Sequence, residues 1–159
     1  TAVGFAHLAP LLADGSAALA CEEEGGFAAA SHLPMRDGLL TAMLVVAMTT
    51  ARRAPLSEQA RALFARLGPR HGRRIDYHVD AATRARMIGR LADPPAAIGG
   101  RRVVALDAPD GPRVTLESGA WLLVRDAAHD QVARCHIETR SRADLEAITA
   151  GARELLGRG

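Results

Sequence analysis

The feature that most constrains this chain is the rapid succession of strand and turn signals from Arg74 to Glu138. Residues 75–79 alternate apolar and polar, as a half-buried strand does. Residues 81–92 read as a helix with Met87, Ile88 and Leu91 inward, and Asp93-Pro94-Pro95 stops it. Residues 103–107, 113–117 and 120–125 are successive strand candidates, and 133–138 follows as another. Pro109-Asp110-Gly111 and Ser118-Gly119 supply turn chemistry between them. Connections this short join antiparallel neighbours. Residues 141–156 close the chain as an amphipathic helix with Leu145, Ile148, Ala152 and Leu155 on one face. Residues 74–159 are therefore expected to form a self-sufficient α+β unit, a mostly antiparallel sheet packed with two helices.

The first 50 residues are different. Residues 5–13 read as a helix through Phe5, Leu8, Leu11 and Leu12, ended by the turn Asp14-Gly15. Residues 17–21 and 27–30 are short strand candidates on either side of Glu22-Glu23-Glu24-Gly25-Gly26. Asp37-Gly38 opens a strong helix through Leu39, Leu40, Met43, Leu44, Val46, Ala47 and Met48. That helix is apolar on most faces, the pattern of one buried between layers. Two strands and two helices cannot cover such a face, so residues 1–50 read as the torn end of a larger α/β domain. Residues 51–73 are expected to hold a linker, 51–55, and a helix begun by Ser57, Glu58 and Gln59 and ended near Gly68-Pro69. A length of 159 residues suggests one domain. The expected division is instead an incomplete α/β piece (1–50), a linker and helix (51–73) and a complete domain (74–159).

Composition excludes several functions. All 20 basic residues are Arg, and with a formal charge of only +2 this looks like coding bias rather than a nucleic-acid footprint. One Trp, one Tyr and three Phe leave little aromatic interleaving for base stacking, so nucleic acid is not an expected partner. No apolar run approaches the roughly 18 residues of a membrane span. Cys21 and Cys135 are too few for a disulfide scaffold and fit a reducing, cytoplasmic setting. Cys135 reads as a small core residue and His32 as a solvated loop histidine. His7, His32, His71, His78 and His136 do not fall at metal-ligand spacing with one another or with the cysteines, so no metal is expected on this chain.

Several segments, taken in order, resemble the phosphohexomutases (phosphoglucomutase and phosphomannomutase), four-domain enzymes built around a cleft. Val3-Gly4-Phe5-Ala6, Cys21-Glu22-Glu23-Glu24-Gly25-Gly26 and Arg36-Asp37-Gly38 follow the third domain's Val-Gly-Phe-Lys segment, Gly-Glu-x-Ser-Gly sugar loop and Asp-Gly helix start. The run from Trp121 to Gln131, through Arg125-Asp126-Ala127-Ala128-His129-Asp130, followed by Arg134-Cys135-His136-Ile137-Glu138, resembles the fourth domain. There the family has a Trp strand leading into Arg-Pro-Ser-Gly-Thr-Glu-Pro, then a strand ending in Glu. The segment from Pro94 to Gly100 and the turn Asp110-Gly111 also match in order. The resemblance covers nearly the whole chain.

It implies the C-terminal third of an isomerase that interconverts hexose 1-phosphate and 6-phosphate by phosphoryl transfer. The family's phosphorylated serine and its Asp-rich Mg²⁺ loop lie in domains this sequence does not contain. No catalytic residue is therefore expected here, Mg²⁺ would be held by absent residues, and the fragment alone should be inactive. Its implied partners are a hexose phosphate and the remaining mutase domains, and the apolar N-terminal piece adds a surface for self-association.

Glu22 and Glu24 fall in the implied sugar loop. A carboxylate can accept from two vicinal hydroxyls at once. Glu24 stands where the family has Ser, and Ala6 replaces its Lys. Arg125, Ala127, Ala128 and His129 fall in the implied phosphate loop. Arg125 keeps the guanidinium fork suited to a dianion. The family's two hydroxyls would fall at Ala127 and His129, and their loss weakens phosphate binding on the order of 100-fold or more. An imidazolium at His129 would compensate in part, and backbone N–H groups of Ala127 and Ala128 could cradle an anion without any particular side chain. The residues alone also allow plainer readings: a solvated acidic turn at 22–26 and an ordinary polar hairpin at 126–131. The alternative function is a non-catalytic, degenerate mutase homologue, a sugar-phosphate-binding or structural module.

Overall fold

The structure, a computed structural model, describes residues 1–22, 24–127 and 130–157. The chain falls into two compact units, Thr1–Arg66 and Leu67–Gly159.

The first unit opens with a 3-10 turn, Phe5–His7, and the short helix α1, Ala9–Ala13. A single helix over 5–13 does not form. Pro10 sits in the first turn of α1, where its missing N–H costs nothing, but the same residue could not have donated within a longer helix. Strands β1 (Leu19–Cys21) and β2 (Phe27–Ala29) pair antiparallel, with Ala20 opposite Ala28. Leu12, Ala20 and Ala28 form a small core edged by Phe5, Leu8 and Ala17. Helix α2, Gly38–Arg52, is capped by Asp37, whose side chain accepts from the Leu40 N–H at 2.9 Å. It ends at Arg53 in the left-handed conformation (φ 49°), and α3, Leu56–Leu67, leaves it at an angle of 84°. No residue of α2 is buried: Leu39, Met43 and Val46 are 73%, 62% and 64% exposed. One face, with Leu40 and Val45 half-buried, lies toward β2, and the apolar side chains on its other faces are exposed.

The second unit is the α+β domain. Strand β3 (His71–His78) leads to α4 (Ala81–Ala92), capped by Asp80, and then to β4 (Ala97–Ile98), β5 (Arg101–Asp107), β6 (Arg113–Leu116), β7 (Trp121–Ala127) and β8 (Val132–Thr139). Helix α5, Arg142–Gly157, follows, with the Ser141 hydroxyl accepting from the Asp144 N–H. Among the described residues the sheet has six strands in the order β3-β8-β7-β6-β5-β4, every neighbour antiparallel. β3 is longer than its alternating stretch because eight of its residues pair with β8, His71 opposite Thr139 through His78 opposite Val132. β4 is two residues long, below what periodicity can signal.

Both long helices cover one face of this sheet. Met87 and Leu91 from α4 and Leu145, Ile148, Ala152 and Leu156 from α5 meet Val114, Leu116, Leu122, Val124, Ala133, Cys135 and Ile137. Alternation along the strands sends Arg125, Arg134, His136 and Asp76 to the other face. Two faces of opposite character, apolar under the helices and charged opposite them, set the stage for the second of the two sites.

Candidate functional site

The loop between β1 and β2 is tied at its base, the Glu22 N–H donating to the Gly26 carbonyl at 2.8 Å. Glu22 projects from it and is paired: Arg36 Nη1 lies 3.1 Å from Glu22 Oε2. The Arg36 guanidinium in turn stacks over the Phe5 ring, 5.5 Å from its centroid. A side chain at Gly26 would collide with both Glu22 and Arg36, so this glycine makes room for the pair. A carboxylate offers about four acceptor positions, so the pair leaves Glu22 capacity for hydroxyl donors. Glu24 is exposed in the same loop. His32 turns to Asp37, Nε2 to Oδ2 at 2.9 Å. The Leu40 N–H first and His32 second hold the Asp37 carboxyl below the ordinary carboxylate range.

In the second unit, Arg125 and Ala127 lie on the same side of β7, one pleat apart. Arg125 stands opposite Arg134 on β8, and Arg134 opposite Asp76 on β3. Like charges directly across a ladder repel. Acids on both flanks resolve the conflict. Arg134 donates to both oxygens of Asp76, at 2.8 and 3.0 Å, and to Asp130 Oδ2 at 2.8 Å. Arg125 Nε lies 3.5 Å from Asp110 Oδ2, both side chains largely buried. Gly111 (φ 122°) lets the Asp110 turn press onto β7, since a Cβ there would run into the Val124 carbonyl. Ala127 is buried, and its carbonyl accepts from the Asp130 N–H at 2.9 Å, closing the turn beyond β7. Ala128 and His129 lie outside the described residues.

The structure thus places Glu22 and Glu24 in one hairpin loop of the first unit, and Arg125 and Ala127 on one strand of the second. Sequence reasoning missed Arg36, Asp110, Asp76, Asp130 and the anchoring part of Arg134. Asp110 had a signal, its turn dipeptide, but a turn residue does not announce which side chain it will meet across a sheet. Among the described residues no three His, Cys, Asp or Glu side chains come together as a metal site.

The fold resembles the C-terminal part of a phosphohexomutase, an α/β segment followed by an antiparallel α+β domain. Comparison with known proteins gives that resemblance its particulars. Residues 1–67 match the family model for the phosphoglucomutase/phosphomannomutase alpha/beta/alpha domain III. The solved structure of a Thermus thermophilus protein assigned as a phosphomannomutase is 27% identical with a TM-score of 0.74, covering 98% of this chain and 30% of its own. A Burkholderia thailandensis phosphoglucomutase/phosphomannomutase family protein, 20% identical with a TM-score of 0.70, covers 99% of this chain and 32% of its own and shares the fold. No curated protein matches. The chain spans about a third of the length of the solved structures it matches.

Proposed function

We propose that this chain supplies the sugar-recognising and phosphate-recognising C-terminal part of a phosphohexomutase. In this reading residues 1–50 are the end of a sugar-binding α/β domain, 51–73 a linker and helix, and 74–159 the phosphate-binding domain. Glu22 accepts from sugar hydroxyls, with Glu24 beside it, and Arg36 fixes the Glu22 carboxylate before the sugar arrives. Arg125 receives the phosphate that does not react, helped by the N–H groups of Ala127 and Ala128 and by His129. Phosphoryl transfer and Mg²⁺ binding belong to other domains. A cytoplasmic setting accords with two free thiols.

The observation that carries this reading is the largely buried Arg125 near the end of β7, on the sheet face opposite α4 and α5. Calorimetric titration with glucose 1-phosphate tests it. Arg125→Ala should weaken binding about 10- to 100-fold, the worth of a hydrogen bond to a charged group. Unchanged affinity in that variant sinks the reading. The chain by itself should show no turnover of glucose 1-phosphate or mannose 1-phosphate.

One observation favours the second reading, a decayed, non-catalytic homologue. Arg125 already has a counter-ion in Asp110, and among the described residues three carboxylates contact the Arg125–Arg134 pair. A dianion must share or displace the Asp110 carboxylate. If the intact parent also bound no hexose phosphate, the decayed reading would take its place.

A further inference from the structure

We propose that Asp110 is a positioning residue for Arg125, holding the guanidinium by its Nε edge so that the Nη pair is presented to a phosphate. The proposal rests on the reading of Arg125 as the phosphate's receiver, and on no other group in that reading. The turn that carries Asp110, between β5 and β6, is pinned against β7. At its base Arg113 donates to Asp107, Nε to Oδ1 at 2.8 Å, where the two residues pair across the strands. Pro109 and Pro112 flank Asp110-Gly111, and each ring fixes φ and takes freedom from the turn. Past the pairing of Arg113 with Leu123, the Val124 N–H donates to the Pro112 carbonyl at 3.1 Å. Gly111 then sits so close that a Cβ would crowd both the Val124 carbonyl and the Arg125 Cα.

Asp110 therefore reaches Arg125 from a fixed place, and it reaches one edge. Its Oδ2 stands 3.5 Å from Arg125 Nε, beyond the roughly 2.7–2.9 Å of a formed charge-assisted bond. Both atoms are sealed from solvent and have no hydrogen-bond partner among the described residues. Buried polar atoms are almost always partnered, and this donor and acceptor need only a small shift to satisfy each other. Neither Nη of Arg125 is among the sealed atoms. A planar guanidinium carries donors on separate edges, so a carboxylate at Nε leaves the Nη edge for a dianion. Asp110 then shares Arg125 with the ligand and does not compete for the same donors.

The test titrates inorganic phosphate into the full chain and into Arg125→Ala, Asp110→Ala, Asp110→Asn and Asp110→Glu. Removing a carboxylate beside an anion site by itself strengthens anion binding, because like charges repel. Positioning carries the opposite sign: Asp110→Ala should weaken phosphate binding about tenfold. Asp110→Asn keeps an oxygen acceptor beside Nε and should recover most of that loss. In an Arg125→Ala background Asp110→Ala should change nothing further. Should Asp110→Ala fail to fold, Asp110→Glu, which keeps the charge on a longer stem, should still weaken binding several-fold. Tighter or unchanged binding in Asp110→Ala, or in Asp110→Glu where that variant stands in, overturns the proposal. So does an Asp110→Asn that binds no better than Asp110→Ala. If Arg125→Ala loses phosphate while Asp110→Ala keeps it, this proposal alone falls. If the unmodified chain binds no phosphate, the reading of Arg125 falls first and this proposal with it.

Discussion

Arg134 is nearly buried and answers to two carboxylates, which makes Asp76 the residue through which acid reaches this domain. The hydrogen bond from Arg134 holds the Asp76 carboxyl below the ordinary range, against the opposing effect of its own burial. A carboxylate lowered in the folded state contributes stability above its unfolded value, near 4, and loses it as pH falls through the lower folded value. Asp76→Asn should therefore destabilise by about 2 kcal/mol at pH 7, the order of one charge-assisted hydrogen bond. The difference from the unmodified chain should shrink toward pH 3. Urea unfolding at the two pH values checks this, and a constant difference would refute it. The thiols divide just as sharply. Burial pushes Cys135 up to about 12, while Cys21 is exposed. At pH 8 a disulfide reagent should modify one thiol in the native chain and the second only after unfolding. A core Cys135 was legible from its strand, but the pairing of Arg134 with Asp76 was not. Those residues lie 58 positions apart, and only the register of β3 on β8 brings them face to face.

At the scale of elements, the approach of α5 to β4 depends on two glycines. A Cβ on Gly151 of α5 would strike the backbone of Gly99, and one on Gly99 (φ 57°) would strike that of Ala147 and Ile148. Gly89 in α4 has nothing within 4 Å of where its Cβ would stand. The same substitution should thus act with opposite sign in the two helices. Gly89→Ala should stabilise by up to about 1 kcal/mol, the ordinary helix-propensity gain. Gly151→Ala should destabilise by about 1–3 kcal/mol through overpacking that moves α5 off the hairpin. Thermal unfolding of the two variants reads the sign directly, and a stabilised Gly151→Ala would show that the contact is not tight. Periodicity located α4, α5 and the strands within a few residues, because each has its own apolar rhythm. It missed β4 and the first half of β3, which owe their strand form to a partner rather than to alternation. The apolar pattern of α2, read as that of a helix too apolar for residues 1–50 to cover, stands with Leu39, Met43, Leu44 and Val46 exposed and Leu40 and Val45 half-buried.

Across the whole molecule that exposure is the most conspicuous departure from an ordinary surface, with Leu39, Met43, Leu44 and Val46 all open on α2. Among the described residues no single helix is long and apolar enough to cross a membrane. The chain alone should bind a hydrophobic dye and self-associate with rising concentration, and Leu39→Ser with Val46→Ser should reduce both. Strictly monomeric, dye-free behaviour of the unmodified chain would contradict this. The sequence by itself determined the α+β class, the two long helices of the second unit and the order of segments that resembles a mutase. Those properties follow from local rhythm, turn chemistry and short connections, all of which act between near neighbours in the chain. Tertiary structure alone decided that Arg125 faces Arg134, that Asp110 and Asp76 neutralise them, and that the turn at Gly111 presses onto β7. These are contacts across a sheet and between a turn and a strand, and their partners are chosen by strand register and turn placement.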